Sequence, residues 1–252
     1  MKLLTLARDL RRRKARERQD LFVAEGLRSV EELLRSDLEI RGALVGPAAA
    51  ENSRGQALLA QFGHRDISVE QVTAEEFASA ADTDSPQGIL AIGRVRKLSL
   101  SDLPHDDTVR LLVLDAIQDP GNVGTILRTA AALQATATFS LPGTVDLWNA
   151  KVVRSGMGAH FHHPCLSGTW DDLDAFRRER SVIVWAADAG GDSIEGLDRP
   201  PRLALVVGNE GSGLSSAARQ RADRTVALPI AESTESLNVA VATGILLYEL
   251  RR

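Results

Sequence analysis

The second half of the chain contains short runs in which nearly every residue is apolar, and a segment with helical spacing follows most of them. The runs are VRLLVLD, TATFSL, SVIVWAA, RLALVVGN and RTVALP. A strand that is apolar without alternation is buried on both faces, which is typical of a parallel sheet covered by helices. We therefore predict an α/β domain with a mostly parallel sheet over residues 109–252.

The first half has shorter apolar strands that alternate with helical segments. The strands are LFVAEG, GALVG, DISV and GILAIGRV, and the helical segments include SVEELLRS and TAEEFASAA. This alternation predicts a smaller α/β domain over residues 1–95. The stretch RKLSLSDLPHDDT, residues 96–108, is polar, contains Pro104 and has no sustained period, so we predict a linker there.

The composition of the chain excludes several classes of protein. Its 252 residues are 44% apolar and 25% charged, which is ordinary for a globular protein. No apolar run approaches the roughly 18 residues that a membrane span needs. The single cysteine, Cys165, excludes an intrachain disulfide and fits a reducing compartment. We expect a cytoplasmic protein that does not enter a membrane.

Positive charge is concentrated at the start of a chain whose net charge is −4. Residues 1–20 hold eight Lys and Arg side chains against three acidic ones. The run RRRKARER fits either the solvated face of a surface helix or a patch that contacts nucleic-acid phosphates. In the second interpretation the contacting side chains are Arg11, Arg12, Arg13, Lys14, Arg16 and Arg18.

The stretch LDAIQDPGNVGTILRTAAA, residues 114–132, joins an apolar strand to a helical segment through a loop rich in Pro and Gly. Ligands of parallel sheets bind in such loops, beyond the carboxyl ends of the strands. N-capping of the helix is the alternative explanation for Asn122. Arg128 lies among apolar residues of the same short helix, where we expect a guanidinium to need an anionic or multidentate partner.

Two later loops share this design. VVGNEGSGLS, residues 206–215, ends a strand in three glycines that let a ligand approach the backbone, and it carries Glu210, a carboxylate that a tight turn alone does not require. LPIAESTESLNVAVATGILLYEL, residues 228–250, passes from a strand through a polar loop into a long apolar helix. Ser236 and Asn238 stand at the entry of that helix, where N-capping is the alternative explanation for them.

The order and spacing of these motifs resemble the three signature motifs of the SpoU (TrmH-type) RNA ribose methyltransferases of the SPOUT superfamily. The residues that carry the resemblance are Asn122 with Arg128 six positions later, then GNEGSG, then LPI followed by SLN. The resemblance covers residues 109–252 and includes KVVRSGMGA, residues 151–159. FVAEG and the basic segment before it look like the substrate-binding domain that precedes the catalytic domain in many of these enzymes.

The resemblance implies an activity, a cofactor and partners. It implies S-adenosylmethionine as the methyl donor, a ribose 2′-hydroxyl of RNA as the acceptor, a homodimer, and a trefoil knot in the chain. A knot departs from the usual rule that chains do not thread their own loops. Ribosomal RNA is favoured over transfer RNA, because the FVAEG-type domain resembles those attached to ribosomal RNA enzymes.

The resemblance also implies roles for individual residues. The expected catalytic residues are Asn122, Arg128, Glu210, Ser236 and Asn238, and the expected cofactor-binding residues are Gly208, Leu228, Ile230, Ser236 and Leu237. Because a guanidinium stays protonated in proteins, we expect Arg128 to clamp a neighbouring phosphate and stabilise the developing alkoxide. The proton would then leave to a phosphate oxygen or to water. No metal is required.

Two other functions remain as alternatives. A dinucleotide-dependent oxidoreductase also needs a strand, a glycine loop and a helix, but DPGNVG is not G-x-G-x-x-G and no acidic residue ends a suitably placed second strand. A catalytically silent RNA-binding protein of the same fold is the second alternative. The presence of Asn122, Arg128, Glu210 and Asn238 argues against it.

The segment HFHHPC invites a metal-site interpretation, because three histidines stand beside Cys165. These histidines are His160, His162 and His163. Strand alternation would send His162 and His163 to opposite faces, and the matching segment of the family is a strand without a metal. We therefore expect no metal site there.

Overall fold

The computed structural model describes residues 2–231 and 233–251. Its internal contacts divide the chain into two compact units. The N-terminal unit comprises Met1–Arg96 together with Trp148–His162, and the C-terminal unit comprises Lys97–Leu147 together with His163–Arg252. In the described residues, no helix combines the length and the apolar character that crossing a membrane requires.

Helices and strands alternate along most of the chain. In chain order they are α1 (Leu3–Leu10), α2 (Arg13–Gln19), β1 (Leu21–Glu25), α3 (Leu27–Arg35), β2 (Ile40–Val45), α4 (Pro47–Ala50), α5 (Ser53–His64), β3 (Val69–Gln71), α6 (Ala74–Ala80), β4 (Ile89–Arg94), β5 (Val109–Asp115), α7 (Pro120–Ala132), β6 (Ala137–Ser140), α8 (Ala150–Ser155), β7 (Cys165–Ser167), α9 (Trp170–Arg180), β8 (Ile183–Ser193), β9 (Arg202–Gly208), α10 (Ser216–Arg221), β10 (Arg224–Ala227) and α11 (Val239–Arg251).

The N-terminal unit is built on a four-stranded sheet with the order β1-β4-β2-β3. Only the β2–β3 pair is parallel. Phe22 of β1 packs against Trp148 and Phe161, with ring centroids 4.5 and 5.6 Å apart. The sequence pattern places residues 148–162 in the C-terminal half, but this segment belongs to the N-terminal unit, where its Phe161 is buried in the core. Local periodicity carries no information about which distant sheet a segment covers.

The FVAEG segment has a structural explanation. The carboxylate of Glu25 is buried and accepts hydrogen bonds from the backbone amide of Asp82, at 2.7 Å, and from the hydroxyl of Thr83. Gly26 follows with a φ of 92°, a left-handed conformation that glycine adopts at low cost. The Glu–Gly pair therefore ends β1 and holds the loop before β4 against it.

The C-terminal unit is built on a six-stranded sheet with the order β10-β8-β9-β5-β6-β7. Every neighbouring pair is parallel, so the predicted parallel sheet is confirmed. Leu111 and Val113 of β5 share a buried cluster with Phe176 of α9. Leu112 and Leu114 alternate with them and are equally buried, so both faces of β5 are covered. This double burial explains the continuous apolar runs.

Part of the predicted linker belongs to the core. Leu100 and Leu103 are 6% and 4% exposed and pack in the same cluster as Phe176. Residues Leu100–Asp102 form a short 3₁₀ helix that Ser99 caps. The central part of the predicted linker, residues 96–108, therefore packs into the core of the C-terminal unit through two leucines that are too widely spaced to show a period.

A bulge interrupts the pairing of β8 with β10. Thr225 pairs with Ala186, but the next residue, Val226, pairs with Asp192. Residues 187–191 of β8 therefore leave the ladder as an irregular loop. Gly191 lets the two strands rejoin, because a Cβ at that position would lie 2.7 Å from the backbone of Thr225. Bulges of this kind redirect side chains and occur next to active sites.

His163 and Cys165 are buried at the edge of the C-terminal sheet. The imidazole Nε2 of His163 lies 2.9 Å from the hydroxyl of Thr138. Burial lowers the pKa of His163 to about 4 and raises the pKa of the Cys165 thiol to about 12. Both side chains are therefore neutral near pH 7. Residues 160–163 do not form a strand, since β7 begins only at Cys165, so strand alternation does not apply to them.

We predict that His163 makes the protein less stable in mild acid. The unfolded chain protonates this imidazole below about pH 6.5, whereas the folded chain does so only below about pH 4, so unfolding takes up a proton between these values. The free energy of unfolding should fall by about 3 kcal/mol over this range, at roughly 1.4 kcal/mol per pH unit. Urea titrations of the wild type and His163→Gln at several pH values measure it.

The matched control is His105→Gln, because His105 is exposed in the same unit. This variant should lose stability with acid as the wild type does, and His163→Gln should lose less. Parallel curves for the wild type and His163→Gln would contradict the assignment.

Candidate functional site

The first two motif loops start at the same edge of the C-terminal sheet. Strand β5 ends at Asp115 and strand β9 ends at Gly208, and these two residues are paired in register. The loop after β5 leads to Asn122, and the loop after β9 carries Glu210. The parallel pairing of two strands therefore brings together residues 88 positions apart in the sequence.

Asn122 is not the cap of α7. The N-cap is Asp119, whose carboxylate accepts a hydrogen bond from the backbone amide of Asn122 at 2.7 Å. Pro120 then occupies the first helical turn, where its missing N–H costs nothing. The alternative explanation of Asn122 as the helix cap does not hold, because Asp119 already caps α7, and this frees the Asn122 side chain for contacts outside the helix.

Glu210 collects hydrogen-bond donors from both loops. Its Oε1 accepts from the side-chain Nδ2 of Asn122 at 3.0 Å and from the backbone amide of Asp119 at 3.3 Å. Its Oε2 accepts from the backbone amide of Gln118 and the side-chain Nδ2 of Asn209, both at 3.4 Å. A carboxylate has about four lone-pair positions, and all four are used here.

Asn238 connects this cluster to the third motif. Its Nδ2 donates to Oδ1 of Asn122 at 3.0 Å, and its Oδ1 accepts from the backbone amide of Ala240 at 2.9 Å, in the first turn of α11. Asn238 therefore both caps α11 and binds Asn122. The three sequence motifs are joined by one chain of side-chain hydrogen bonds that runs from Glu210 through Asn122 to Asn238, which we call the motif network.

The motif network keeps Glu210 ionised. Burial alone raises the pKa of Glu210, but hydrogen bonds from the Asn122 side chain and from nearby backbone amides outweigh it, so this pKa lies below its ordinary value. The carboxylate is thus charged at neutral pH and acts as an acceptor only. It cannot take up a proton from a substrate at that pH without losing the contacts that position it.

Two residues that the sequence analysis did not single out complete the loops. Asn209 donates from Nδ2 to the carbonyl of Ala116 at 2.8 Å, and its Oδ1 accepts from the backbone amide of Gly211 at 2.9 Å. Ala116 has a φ of 60°, in the left-handed region that non-glycine residues seldom adopt. The only signal for Asn209 was its place inside GNEGSG, and nothing local indicates the strained turn at Ala116.

Arg128 stands apart from the motif network. The buried side of α7 carries Ile126, Leu127 and Ala130, whereas Arg128 is exposed. The inference that apolar neighbours crowd this guanidinium is wrong, because helical periodicity turns those neighbours inward. Within residues 2–231 and 233–251, no hydrogen bond or ion pair of Arg128 is found.

A cavity of about 510 Å³ lies beside the motif network in the C-terminal unit. Its lining includes all of the residues expected to bind the cofactor, namely Gly208, Leu228, Ile230, Ser236 and Leu237. Glu210 and Asn238 also line it, whereas Asn122 and Arg128 are not among its lining residues. Its volume is within the range of small-molecule sites.

The shape and chemistry of this cavity fit a nucleoside-like ligand. Val226, Leu228 and Leu246 supply apolar wall for a flat ring. Gly208 supplies bare backbone, because a Cβ there would lie within 2.6 Å of the backbone of Gly213 and Leu214. Apolar walls with a few polar groups at the edges are typical of cofactor sites.

In the part of the chain that the structure describes, no group of three His, Cys, Asp or Glu side chains is arranged to hold a metal ion. The histidines of HFHHPC are divided between the two units, with His160 and His162 in one and His163 in the other.

The basic run at the start of the chain forms α1 and α2. Arg12 and Arg18 pair with Asp9, and Arg13 pairs with Glu17, yet these arginine side chains remain 74%, 71% and 62% exposed. Lys14 is exposed as well, and Arg11 donates to the carbonyl of Ser79 at 3.2 Å.

Arg16 differs from its neighbours in this run. It is 6% exposed, and its Nη1 donates to the carbonyls of Leu10 and Arg11 at 2.7 and 2.9 Å. These bonds fix the turn between α1 and α2, so Arg16 does not present its guanidinium to a ligand as the sequence interpretation required.

Helices α7 and α11 pack together and expose an apolar groove. Val241, Ile245 and Tyr248 of α11 are 52%, 41% and 41% exposed and line the groove with Thr125 and Thr129 of α7. Contiguous exposed apolar surface of this kind marks interaction sites.

Comparisons with known protein families cover both parts of the chain. Residues 110–248 match the model of the SpoU rRNA Methylase family, and residues 5–91 match the MRM3-like substrate binding domain. The chain is also 31% identical, over 96% of its own length and 93% of the relative, to the 23S rRNA (guanosine(2553)-2′-O)-methyltransferase RlmP of Bacillus subtilis.

Solved structures resemble the whole chain. The AdoMet-bound rRNA methyltransferase of Sinorhizobium meliloti is 29% identical, with a TM-score of 0.86 over 99% of this chain and 94% of that one. The SpoU methyltransferase AviRb of Streptomyces viridochromogenes, in complex with AdoMet, is 25% identical, with a TM-score of 0.87 over 100% of this chain and 97% of that one.

Proposed function

This chain belongs to the SpoU rRNA methylase family, and from that premise we propose that it transfers a methyl group from S-adenosylmethionine to a ribose 2′-hydroxyl of RNA. Ribosomal RNA is the favoured substrate, since the similar proteins from B. subtilis and S. meliloti bear that name. The observation that carries the proposal is the motif network, which joins Glu210, Asn122 and Asn238 at a cavity suited to a nucleoside.

The reducing, cytoplasmic location indicated by the single cysteine is part of this proposal.

The residues that line the cavity fit the cofactor. Gly208 and the loop after it offer backbone groups, and Leu228, Ile230 and Leu237 offer apolar surface for an adenine ring. When bound there, S-adenosylmethionine supplies an electrophilic methyl carbon, to which the ribose oxygen bonds as the carbon–sulfur bond breaks and S-adenosylhomocysteine leaves. Such a displacement depends mainly on the alignment of the two reacting atoms.

Asn122 and Asn238 provide that alignment. Asn122 has its amide orientation fixed, because Nδ2 donates to Glu210 and Oδ1 accepts from Asn238. Asn238 keeps one Nδ2 hydrogen beyond its bond to Asn122, and that hydrogen is available to a ribose oxygen. Ser236 lines the cavity two residues earlier and is exposed, so its hydroxyl is available to the same ligand. Glu210 acts as a positioning residue through its bonds to both loops.

Arg128 is assigned to the RNA phosphate next to the target ribose. The guanidinium is exposed, and among the described residues it has no ion-pair partner, so it is available to an anion from outside the chain. A planar fork binds phosphate oxygens in pairs and stabilises the alkoxide that develops during transfer. The hydroxyl proton leaves to a phosphate oxygen or to water, because the guanidinium itself stays protonated.

The division of labour follows the two family matches. The region of residues 1–95 binds RNA, and the region of residues 109–252 holds the cofactor and transfers the methyl group. A catalytically silent RNA-binding protein is disfavoured, since the motif network is complete. A dinucleotide-dependent oxidoreductase is disfavoured by the family match and by the absence of a G-x-G-x-x-G loop from the sequence.

A homodimer completes the proposal. The groove between α7 and α11 exposes three large apolar side chains, and none of its described lining residues is charged. The same apolar surface on a second copy of the chain can pack against it in a symmetric dimer. On α7, Arg128 lies three residues from Thr125 and next to Thr129, both of which line the groove. Dimerisation would therefore bring the Arg128 of each chain to the border of the interface.

Substitution of Arg128 tests the proposed activity. Arg128→Ala and Arg128→Lys should each lower methyl incorporation into ribosomal RNA by about a hundredfold or more, because a lysine gives a point charge in place of a planar fork. Cofactor affinity should stay near the wild-type value, since Arg128 does not line the cavity. The control is Arg178→Lys, another exposed arginine of the same unit. Full turnover by Arg128→Lys would remove Arg128 from this role.

Charge introduced into the groove tests the dimer. Ile245→Asp should convert the wild-type dimer to a monomer in sedimentation experiments at micromolar concentration, because pairing would bury an unpaired carboxylate. Glu195→Asp leaves the groove unchanged and should remain dimeric. A monomeric wild type with full activity would contradict the proposal.

The basic run is tested through the salt dependence of RNA binding. Replacing Arg12, Arg13 and Arg18 with Gln should flatten the slope of log affinity against log salt, by roughly 0.7 to 0.9 for every replaced arginine that binds a phosphate in the wild type. Cofactor affinity should not change. Arg54→Gln is a control on the same unit, since Arg54 is exposed and pairs with Glu31. An unchanged slope would identify α2 as a solvated surface helix.

A further inference from the structure

The cofactor cavity contains a second acidic residue, Asp188, to which the sequence motifs assign no role. It lies in the bulge of β8, residues 187–191, and lines the cavity together with Ala187 and Ala189. Its side chain is only 22% exposed. Among the cavity-lining residues, Asp188 and Glu210 are the two that carry a charge.

Asp188 is held in one orientation by two donors. Its Oδ2 forms an ion pair with Nη1 of Arg219 at 2.6 Å, and its Oδ1 accepts from the backbone amide of Gly190 at 3.1 Å. Gly190 belongs to the same bulge, whereas Arg219 lies on α10. The irregular backbone of β8 therefore holds Asp188 in the cavity wall, with its carboxylate fixed by Arg219 and the amide of Gly190.

The two acidic residues differ in the acceptor capacity that remains. Glu210 uses all four of its lone-pair positions on Asn122, Asn209, Gln118 and Asp119. Asp188 uses two of four, one on each oxygen. Among the described carboxylates that line the cavity, therefore, only Asp188 has lone pairs left to accept hydrogen bonds from a ligand.

Strand order separates Asp188 from the proposed site of methyl transfer. Asn122 follows β5, Glu210 follows β9 and Asp188 belongs to β8, and these strands are consecutive neighbours in the sheet. Since neighbouring strands lie about 4.8 Å apart, β8 is about 10 Å from β5. The methyl group has to lie near Asn122 and Asn238 in the proposed reaction, so a part of the cofactor away from the methyl group meets Asp188. The ribose diol offers two hydroxyl donors in such a part, and these suit a carboxylate with unused lone pairs.

We propose that the carboxylate of Asp188 accepts hydrogen bonds from the ribose diol of the bound cofactor, and that Arg219 is the positioning residue that orients it. Carboxylates of other nucleotide-binding sheets bind ribose hydroxyls in the same way. This inference rests on the proposed function, because it takes S-adenosylmethionine as the ligand.

Binding of two nucleosides to the full-length protein tests the contact. S-adenosylmethionine and 5′-methylthioadenosine share the adenosine, but the second lacks the amino acid and the positive sulfur. Asp188→Asn should weaken both by a similar factor, about tenfold, because it removes the charge and replaces one acceptor oxygen with a donor at the ribose that they share. Methyl transfer at saturating cofactor should be largely retained, since this interaction is equal in the ground and transition states.

Two further variants separate contact from structure. Arg219→Gln should weaken both nucleosides by a smaller factor than Asp188→Asn and raise KM without lowering kcat, and Arg219→Lys should partly restore the affinity. Asp192→Asn is the matched control, because Asp192 lies on the same strand, is 68% exposed and is not among the cavity-lining residues. Its affinities should equal those of the wild type.

The outcomes distinguish this inference from the proposed function. Unchanged affinities in Asp188→Asn, with an active wild type, would overturn the inference alone. A loss for S-adenosylmethionine without a loss for 5′-methylthioadenosine would also overturn it, because the contact would then be to the amino-acid end. A wild type that binds both nucleosides but methylates no RNA would overturn the proposed function and leave the ribose contact supported by the Asp188→Asn result.

Discussion

The carboxylate of Glu210 holds the candidate site together. It accepts hydrogen bonds from two backbone amides and a side chain of the loop after β5, and from Asn209 of its own loop. Without that acceptor, these donors would lose their partners and the two loops would no longer be linked through it. Because Asn122 passes the connection on to Asn238 and the start of α11, a single acidic residue fixes the relative positions of all three motifs. Catalysis by alignment depends on such prior organisation.

The C-terminal unit keeps the guanidinium of Arg128 apart from the cavity. The cavity is lined by glycine backbone and apolar side chains, whereas Arg128 lies on the exposed side of α7 and is not part of that lining. A cation in the cavity would repel the cationic cofactor and would have to give up part of its hydration. On the surface the guanidinium keeps its hydration and stays accessible. The position of Arg128 thus fits a substrate that is large, anionic and bound from outside.

The basic run shows how burial divides residues of one type. Arg16 is buried and satisfied by two backbone carbonyls, so it stabilises the turn between α1 and α2. Arg12, Arg13 and Arg18 are paired with carboxylates but remain exposed, and surface ion pairs of this kind contribute little to stability. Phosphates can therefore compete with those carboxylates at low cost. The sequence offered six basic residues of this run as phosphate contacts. In the structure one of them, Arg16, has a structural role, and the others remain candidate contacts.

The sequence by itself determined the parallel sheet and the three motif loops, because continuous apolar strands, glycine loops and helical spacing are local patterns. Through its family resemblance it also indicated which residues line the cavity, since Gly208, Leu228, Ile230, Ser236 and Leu237 belong to motifs that can be read in order along the chain. Only the tertiary structure decided that Asp119 caps α7, that Arg128 is exposed and that residues 148–162 belong to the N-terminal unit. It also decided that the β8 bulge places Asp188 in the cavity wall. Each of these features depends on a contact between segments that are distant in the sequence. Such hydrogen bonds and buried contacts leave no periodic pattern in the local sequence.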